Sequence, residues 1–154
     1  MIKILGATLL SLEEYVKYES KIPKLKSQWW LRSSGKYANK AAFVYNVCSY
    51  SMCNTYDYGY DIVTRRHSIR PALQLQGSGN TKIGEVISFG GYKFIIISSE
   101  YALCTKAIGF TSFRKDLKAP NNNDYEASDI KKYIDNWFDC FAENTKIQNK
   151  TEAI

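Results

Sequence analysis

Few residues in this chain are suited to acid–base or nucleophilic chemistry. His67 is the only histidine and lies in the segment Arg65-Arg66-His67-Ser68. Basic neighbours favour the neutral imidazole, which is the form that a general base requires. Nucleophilic catalysis also needs a nucleophile and an orienting group, and no Gly-x-Ser-x-Gly segment or cysteine signature accompanies His67. The sequence therefore predicts no catalytic site and a protein that is not an enzyme.

The residues that could bind a metal ion are equally sparse. A structural zinc site uses ligands paired at close spacing, and no CxxC pair occurs. Asn54, Asp57 and Asp61 lack the dense oxygen spacing of a calcium loop. We therefore expect no metal and no cofactor. The four cysteines divide into two that we expect to be buried, Cys104 and Cys140, and two that could pair in an oxidising compartment, Cys48 and Cys53.

Residues 36–66 are rich in tyrosine, serine, asparagine and glycine, which is the composition of antibody paratopes. Tyrosine supplies a large amphipathic contact area with few rotatable bonds to immobilise. Positions 56, 58 and 60 alternate, so on an extended segment they would share one face. The segment predicts a loop surface that binds a partner through Tyr50, Tyr56, Tyr58, Tyr60, Asn54, Arg65 and Arg66.

The net charge of +6 is concentrated in the first half of the chain. Residues 1–76 contain 11 Lys and Arg against 5 Asp and Glu, whereas residues 77–154 contain 10 of each. Such an excess is either a solvated face or a surface attracted to an acidic protein, a nucleic acid or a ribonucleoprotein. The predicted basic face consists of Lys21, Lys24, Lys26, Lys36 and Lys40.

The length of 154 residues and the hydrophobic share of 45% predict one domain with its own core. No apolar run reaches the roughly 18 residues of a membrane span, and the first residues lack the pattern of a leader peptide. We expect a cytoplasmic protein without membrane association. Residues 77–80, Gly-Ser-Gly-Asn, predict a linker between halves 1–76 and 81–142, and the polar tail 143–154 is expected to fray.

Two helices are predicted. Ser11 and Glu14 form a capping box at the start of a helix that reaches about Ser20 with Leu12, Tyr15 and Val16 on one side. Ser128 caps a second helix, whose apolar residues recur at helical spacing and predict a face buried against a sheet. That stripe consists of Ile130, Tyr133, Ile134, Trp137, Phe138 and Phe141.

The rest of the chain predicts strands and turns. Gly90-Gly91 favours a two-residue hairpin turn between strands at 85–89 and 92–98. Residues 48–60 have no helical period and are predicted to form a loop. Other strands are expected at 2–5, 28–33, 41–47, 60–65, 70–75 and 101–106. The expected fold class is therefore α+β, with a mixed or antiparallel sheet and two flanking helices.

Three motifs resemble a known family. The segments Trp29-Trp30-Leu31-Arg32-Ser33, Ala41-Ala42-Phe43-Val44 and Ile69-Arg70-Pro71-Ala72-Leu73 are similar to the WWLRSPG, AAYV and GVRPAL motifs of a bacterial and phage family of unknown function. Ser34 and Ser68 replace the usual proline and glycine of those motifs. The hairpin at 89–94 and the helix near 125–138 also resemble segments of that family.

The resemblance implies a C-type-lectin-like fold, related to formylglycine-generating enzymes and to the variable proteins of phage retroelements. The family places the hairpin and long helix first, so the inverted order here implies a circular permutation within one chain, or alternatively a domain-swapped dimer. The resemblance implies structural roles for Trp29, Trp30, Arg32 and Arg70, and the helical stripe implies one for Trp137.

These observations predict a non-enzymatic protein-binding module with a Tyr/Ser/Asn-rich surface. The high content of Lys, Asn, Ile and Tyr and the small size of the chain are typical of a Firmicute or its phage. The alternative function is therefore inhibition of a bacterial defence system, for example by an anti-CRISPR protein that acts on a Cas nuclease. Binding of nucleic acid or glycan through the basic face is a further alternative. The sequence leaves the partner and the choice between monomer and dimer open.

Overall fold

The computed structural model describes residues 2–49, 52–76, 82–117 and 122–141, without the side chains of residues 46–56. Within these residues the chain forms two α-helices, α1 (Leu12–Tyr18) and α2 (Asp129–Cys140). It also forms ten strands: β1 (Ile4–Thr8), β2 (Trp29–Ser34), β3 (Lys40–Ser49), β4 (Met52–Ile62), β5 (Arg66–Ile69), β6 (Ala72–Leu75), β7 (Val86–Phe89), β8 (Tyr92–Ile96), β9 (Tyr101–Cys104) and β10 (Gly109–Ser112).

The strands form two five-stranded sheets. Sheet A has the order β1-β6-β9-β8-β7, and sheet B has the order β10-β5-β2-β3-β4. The described pairings are antiparallel except that between β2 and β5. The α+β class is therefore confirmed. Strands from both sides of residues 77–80 contribute to each sheet, because β6 pairs with β9 and β5 pairs with β10.

Helix α1 begins where the sequence predicts. The Ser11 hydroxyl accepts from the Glu14 N–H at 3.1 Å, and the Glu14 carboxylate accepts from the Ser11 N–H at 2.8 Å. Tyr15 is buried, but Val16, expected on the same side, is exposed. A short 3-10 turn at Glu19–Lys21 follows, and Pro23 comes after it.

Helix α2 confirms the predicted amphipathic element, with Ser128 accepting from the Lys131 N–H at 3.1 Å. Ile130 and Ile134 are fully buried. Two expectations on this helix are wrong, because Tyr133 and Cys140 are exposed. Helical residues at the margin of an apolar stripe lie between core and solvent. Whether such a residue is buried depends on the elements that pack beside it rather than on its spacing in the sequence.

The adjacent tryptophans of β2 occupy different parts of the core, because successive strand residues face opposite sides. Trp29 packs with Leu10, Tyr15 and Val44, whereas Trp30 belongs to a cluster that contains Phe113. A third cluster lies on sheet A, where Trp137 of α2 packs against it. Arg70 is also fully buried, and its guanidinium lies 4.9 Å from the Trp29 ring and donates to the carbonyls of Cys104 and Pro23 at 2.7 Å each.

The strand prediction differs from the structure in two respects and is confirmed at one turn. Residues 48–60, expected to form a loop, largely belong to a long antiparallel hairpin of β3 and β4. Strands β5 and β10 were not expected, because they are short and carry little apolar patterning. The Gly90-Gly91 turn is confirmed, since both glycines have positive φ angles of 60° and 82° and connect β7 to β8.

Candidate functional site

The tyrosine-rich segment forms the edge of sheet B. Strand β4 is the outermost strand and pairs along its length with β3. Tyr58 lies opposite Val44 and Tyr60 lies opposite Ala42, so both tyrosines share the sheet face of those two buried residues. The predicted sharing of one face by Tyr58 and Tyr60 follows directly from this register.

Both of these tyrosines are exposed although their cross-strand partners are buried. Tyr58 retains 41% and Tyr60 retains 43% of its accessible surface. The Tyr58 ring lies 6.5 Å from Tyr15 in an edge-to-face arrangement, and Tyr15 is in turn 5.7 Å from Trp29. Such pairs stabilise a fixed ring position. Tyr58 is therefore an exposed aromatic ring that rests on a buried aromatic row.

Two carboxylates of β4 accept hydrogen bonds from backbone N–H groups of the same strand. Asp57 accepts a hydrogen bond from the Tyr58 N–H at 2.8 Å, and Asp61 accepts one from the Ile62 N–H at 2.8 Å. These N–H groups are therefore satisfied by side chains rather than by β3. Backbone groups alternate sides along a strand, so the two capped donors mark the outer edge of sheet B.

Asp61 also bonds to the only histidine. His67 Nε2 lies 2.7 Å from an Asp61 carboxylate oxygen, and Arg65 approaches the other oxygen at 3.6 Å. The His67 ring is stacked on Phe43 with centroids 4.7 Å apart and meets Trp30 edge-on at the same separation. Within the described chain, Asp61 is the one group hydrogen-bonded to this imidazole. The arrangement fixes the ring inside an aromatic cluster.

The other predicted contact residues are distributed over the chain. Tyr50 lies outside the described residues, and the side chains of Asn54 and Tyr56 are likewise not described. Arg66 lies on β5, which β2 and β3 separate from β4. Its guanidinium donates to the Phe110 carbonyl at 3.0 Å and lies 5.0 Å from the Phe110 ring. Arg66 is therefore engaged at the β10 side of sheet B, away from the tyrosines.

The lysines of the predicted basic face fall into two groups. The first group precedes β2, and the second follows it, so the two lie at opposite ends of that strand. The first group is Lys21, Lys24 and Lys26, and the second is Lys36 and Lys40.

Tyr37 lies between the two lysines of the second group and is a feature that the sequence reasoning missed. The ring is 58% exposed, and both Lys36 Nζ and Lys40 Nζ lie 5.8 Å from its centroid. Asn123 holds this turn by donating to the carbonyls of Tyr37 and Lys40 at 2.9 and 3.0 Å. The available signal was one tyrosine between two lysines directly after Gly35, whereas the hydrogen bonds from Asn123 that hold the turn are a long-range contact.

Comparison of the chain with protein-family models, curated proteins and solved structures gives no match. The resemblance to lectin-like domains and the circular permutation therefore stay predictions. Among the described residues, no group of three or more His, Cys, Asp and Glu side chains could hold a metal ion. None of the helices in the described ranges is long and apolar enough to span a membrane.

Proposed function

We propose that this chain is a non-enzymatic protein-binding module whose partner docks on the exposed tyrosine pair of β4. The observation that carries the proposal is that Tyr58 and Tyr60 are each more than two-fifths exposed on one face of an edge strand. Tyrosine is enriched among residues that dominate binding energy at interfaces. The ring of Tyr58 is already held by Tyr15, so less side-chain entropy is lost on binding.

The partner is expected to contact side chains rather than to extend sheet B. Strand addition needs unpaired N–H and C=O groups along an edge. On β4, Asp57 and Asp61 already accept from two N–H groups of that edge. A partner that covers the tyrosine face avoids displacing these bonds. The exposed carboxylate of Asp57, next to Tyr58 in the strand, also favours a partner with donors or positive charge at the rim of the contact.

The test is capture from a nuclease-treated lysate of a low-GC bacterium that carries CRISPR systems, followed by mass spectrometry and affinity measurement. The baits are the wild-type chain, Y58A/Y60A and the matched variant Y133A, which removes an equally exposed tyrosine from α2. We expect one protein to be retained by the wild type and Y133A and to bind Y58A/Y60A at least about tenfold more weakly. Capture of the same proteins by all three baits, or of none, contradicts the proposal.

The identity of that partner decides the narrower function. A nuclease of a bacterial defence system that loses cleavage activity when the wild-type chain binds would support the role of a phage-encoded inhibitor. A partner without such an activity would support a general adaptor. Purified nuclease, target DNA and a titration of the wild-type and Y58A/Y60A chains distinguish these two outcomes directly.

A second candidate function is binding of nucleic acid at Tyr37. An exposed ring between Lys36 and Lys40 provides a surface for base stacking together with two cations for phosphate. We expect K36A/K40A to reduce the slope of log affinity against log salt by about 1 to 2 for a labelled single strand, because each phosphate contact contributes about 0.7. K82A/K93A is the charge-matched control. An equal slope in both variants contradicts this candidate.

A further inference from the structure

A groove lies between the outer edge of β1 and the side of α2. Its volume is about 510 Å³, and its walls include Leu5, Ala7 and Thr8 of β1 and Asp135, Phe138 and Asp139 of α2. Strand β1 ends the order of sheet A, so no strand among the described residues neighbours its outer edge. The groove thus combines a strand edge with one side of a helix.

Hydrogen bonds at the end of β1 show which backbone groups face the groove. The Leu9 N–H donates to the Tyr125 hydroxyl, and the Leu9 carbonyl accepts from Arg32 at 2.7 Å. Both groups therefore point away from β6, the strand that pairs with β1. Because backbone groups alternate sides along a strand, the N–H and C=O of Ala7 also lie on the outer edge. Ala7 is itself one of the residues that line the groove.

The helical wall of the groove is acidic. Glu126, Asp135 and Asp139 contribute three carboxylates, and Lys131 is the cation among the lining residues. Lys131 lies 2.6 Å from Asp135 and 3.9 Å from Glu126, so two negative charges remain uncompensated within the groove. The described last turn of α2 carries no basic residue, and the negative end of the helix dipole adds to the same potential.

We propose that this groove binds an extended segment of a partner protein, which adds to β1 as a sixth strand of sheet A. The backbone of the segment pairs with the outer edge around Ala7. Alternate side chains of the segment face α2, where lysine or arginine meets Asp135 and Asp139 and an apolar residue meets Phe138. This surface is separate from the tyrosine pair, and unlike the edge of β4 it has no described aspartate that accepts from its own strand.

The experiment selects a displayed library of random ten-residue segments on three baits: the wild-type chain, D135N/D139N and E13Q/E85Q. The last variant removes two exposed carboxylates that are not among the residues lining the groove. We expect the wild type and E13Q/E85Q to enrich segments with lysine or arginine at every second position. The best segment, made as a synthetic peptide, should bind D135N/D139N at least about tenfold more weakly.

Amide hydrogen exchange with the same peptide tests the backbone pairing. We expect new protection at the Ala7 amide, and we expect Y58A/Y60A to bind the peptide as the wild type does, which separates this proposal from the tyrosine surface. Failure of any segment to enrich, equal binding to D135N/D139N, or protection at β4 instead of β1 would each overturn the proposal. Dimerisation of the free chain through β1, seen by sedimentation and by Ala7 protection, would assign the groove to a second copy.

Discussion

Glu14 joins three parts of the chain through one carboxylate. It accepts from the Ser11 N–H within the capping box and from Arg32 on β2 at 2.6 Å, and the Tyr101 hydroxyl of β9 adds a further hydrogen bond. Arg32 also donates to the Leu9 carbonyl at 2.7 Å. The helix start that sequence alone predicts is therefore also the point at which α1 is attached to both sheets.

The pKa of Glu14 gives a prediction on acid stability. Burial raises the pKa of this carboxyl, but hydrogen bonds from Arg32, Ser11 and Tyr101 outweigh burial, and the net pKa lies below its ordinary value of 4.5. A folded-state pKa below the unfolded value stabilises the fold at neutral pH, and this stabilisation is lost as pH falls through the folded pKa. We therefore expect urea unfolding to show a larger loss of stability in the wild type than in E14Q on acidification from about pH 6 to about pH 3.

At neutral pH, E14Q should lower the free energy of unfolding by about 2 kcal/mol. This loss is smaller than that expected for a fully buried ion pair, because Glu14 and Arg32 both retain some exposure. Glu13→Gln is the control, because that neighbouring carboxylate is exposed. A parallel pH dependence of E14Q and the wild type would contradict the assigned role of the Arg32 pair.

His67 gives a second prediction at the scale of one residue. Its imidazole is held by Asp61 and by the Phe43 and Trp30 rings, so the H67A change removes a buried hydrogen bond and part of the aromatic packing. We expect a loss of about 2 kcal/mol in the free energy of unfolding. The exposed Arg65, 3.6 Å from the same aspartate, should contribute less than about 1 kcal/mol when changed to alanine. An H67A variant as stable as the wild type would show that the ring is dispensable for the fold.

At the scale of elements, Asp57 distinguishes the edge of β4 from an open strand edge. Its carboxylate satisfies the Tyr58 N–H, and a side chain that occupies the edge hinders pairing with another strand. We expect D57A to increase the self-associated fraction at high concentration relative to the wild type, as measured by sedimentation velocity. D57N keeps a side-chain oxygen acceptor and should behave as the wild type does. Equal sedimentation of D57A and the wild type would show that the cap does not limit association.

The elements that sequence alone could predict are those with a complete local signal. Ser128 and the apolar stripe define α2, and Gly90-Gly91 defines the β7–β8 turn. The β3–β4 hairpin was missed because its tyrosines and asparagines resemble a loop in composition, whereas its stability comes from cross-strand pairing. Strand β10 was missed because its exposed Phe110 and its pairing with β5 give no alternating pattern.

Only one part of the candidate site could be predicted from the sequence, namely the part that depends on side chains alternating between the two faces of a strand. Tyr58 and Tyr60 share a face because they are two residues apart on one strand. Arg66 was grouped with them because it is close in sequence, but the order of sheet B places β2 and β3 between the two strands. That order is set by long-range packing. The lysines were grouped by charge alone, although one group precedes β2 and the other follows it.

At the scale of the whole molecule, the segments on either side of residues 77–80 are interleaved. Sheet A contains β1 and β6 from the first segment and β7, β8 and β9 from the second. Sheet B contains β10 from the second segment beside β5 from the first. Each segment therefore leaves core residues uncovered when it is alone, and we expect neither to fold by itself.

A protease site inserted at residues 77–80 tests this expectation. After cleavage, the two fragments should remain associated on size exclusion and keep the circular dichroism of the intact chain, because the β6–β9 and β5–β10 pairings hold them together. Each fragment expressed alone should lack cooperative thermal unfolding. A stable separate fold of residues 1–76 would contradict the interleaved arrangement.

The two adjacent tryptophans of β2 can serve as fluorescent reporters of the packing on the two sides of sheet B. Trp29 emits from beneath α1 beside the Arg70 guanidinium, and Trp30 emits from the cluster that α2 closes, beside His67. With Trp137 replaced by phenylalanine, W30F leaves an indole that reports on the α1 side and W29F leaves one that reports on the α2 side. Two chromophores joined by a single peptide bond would thus record, as separate emission spectra, whether the two sides of sheet B lose their packing together or in succession.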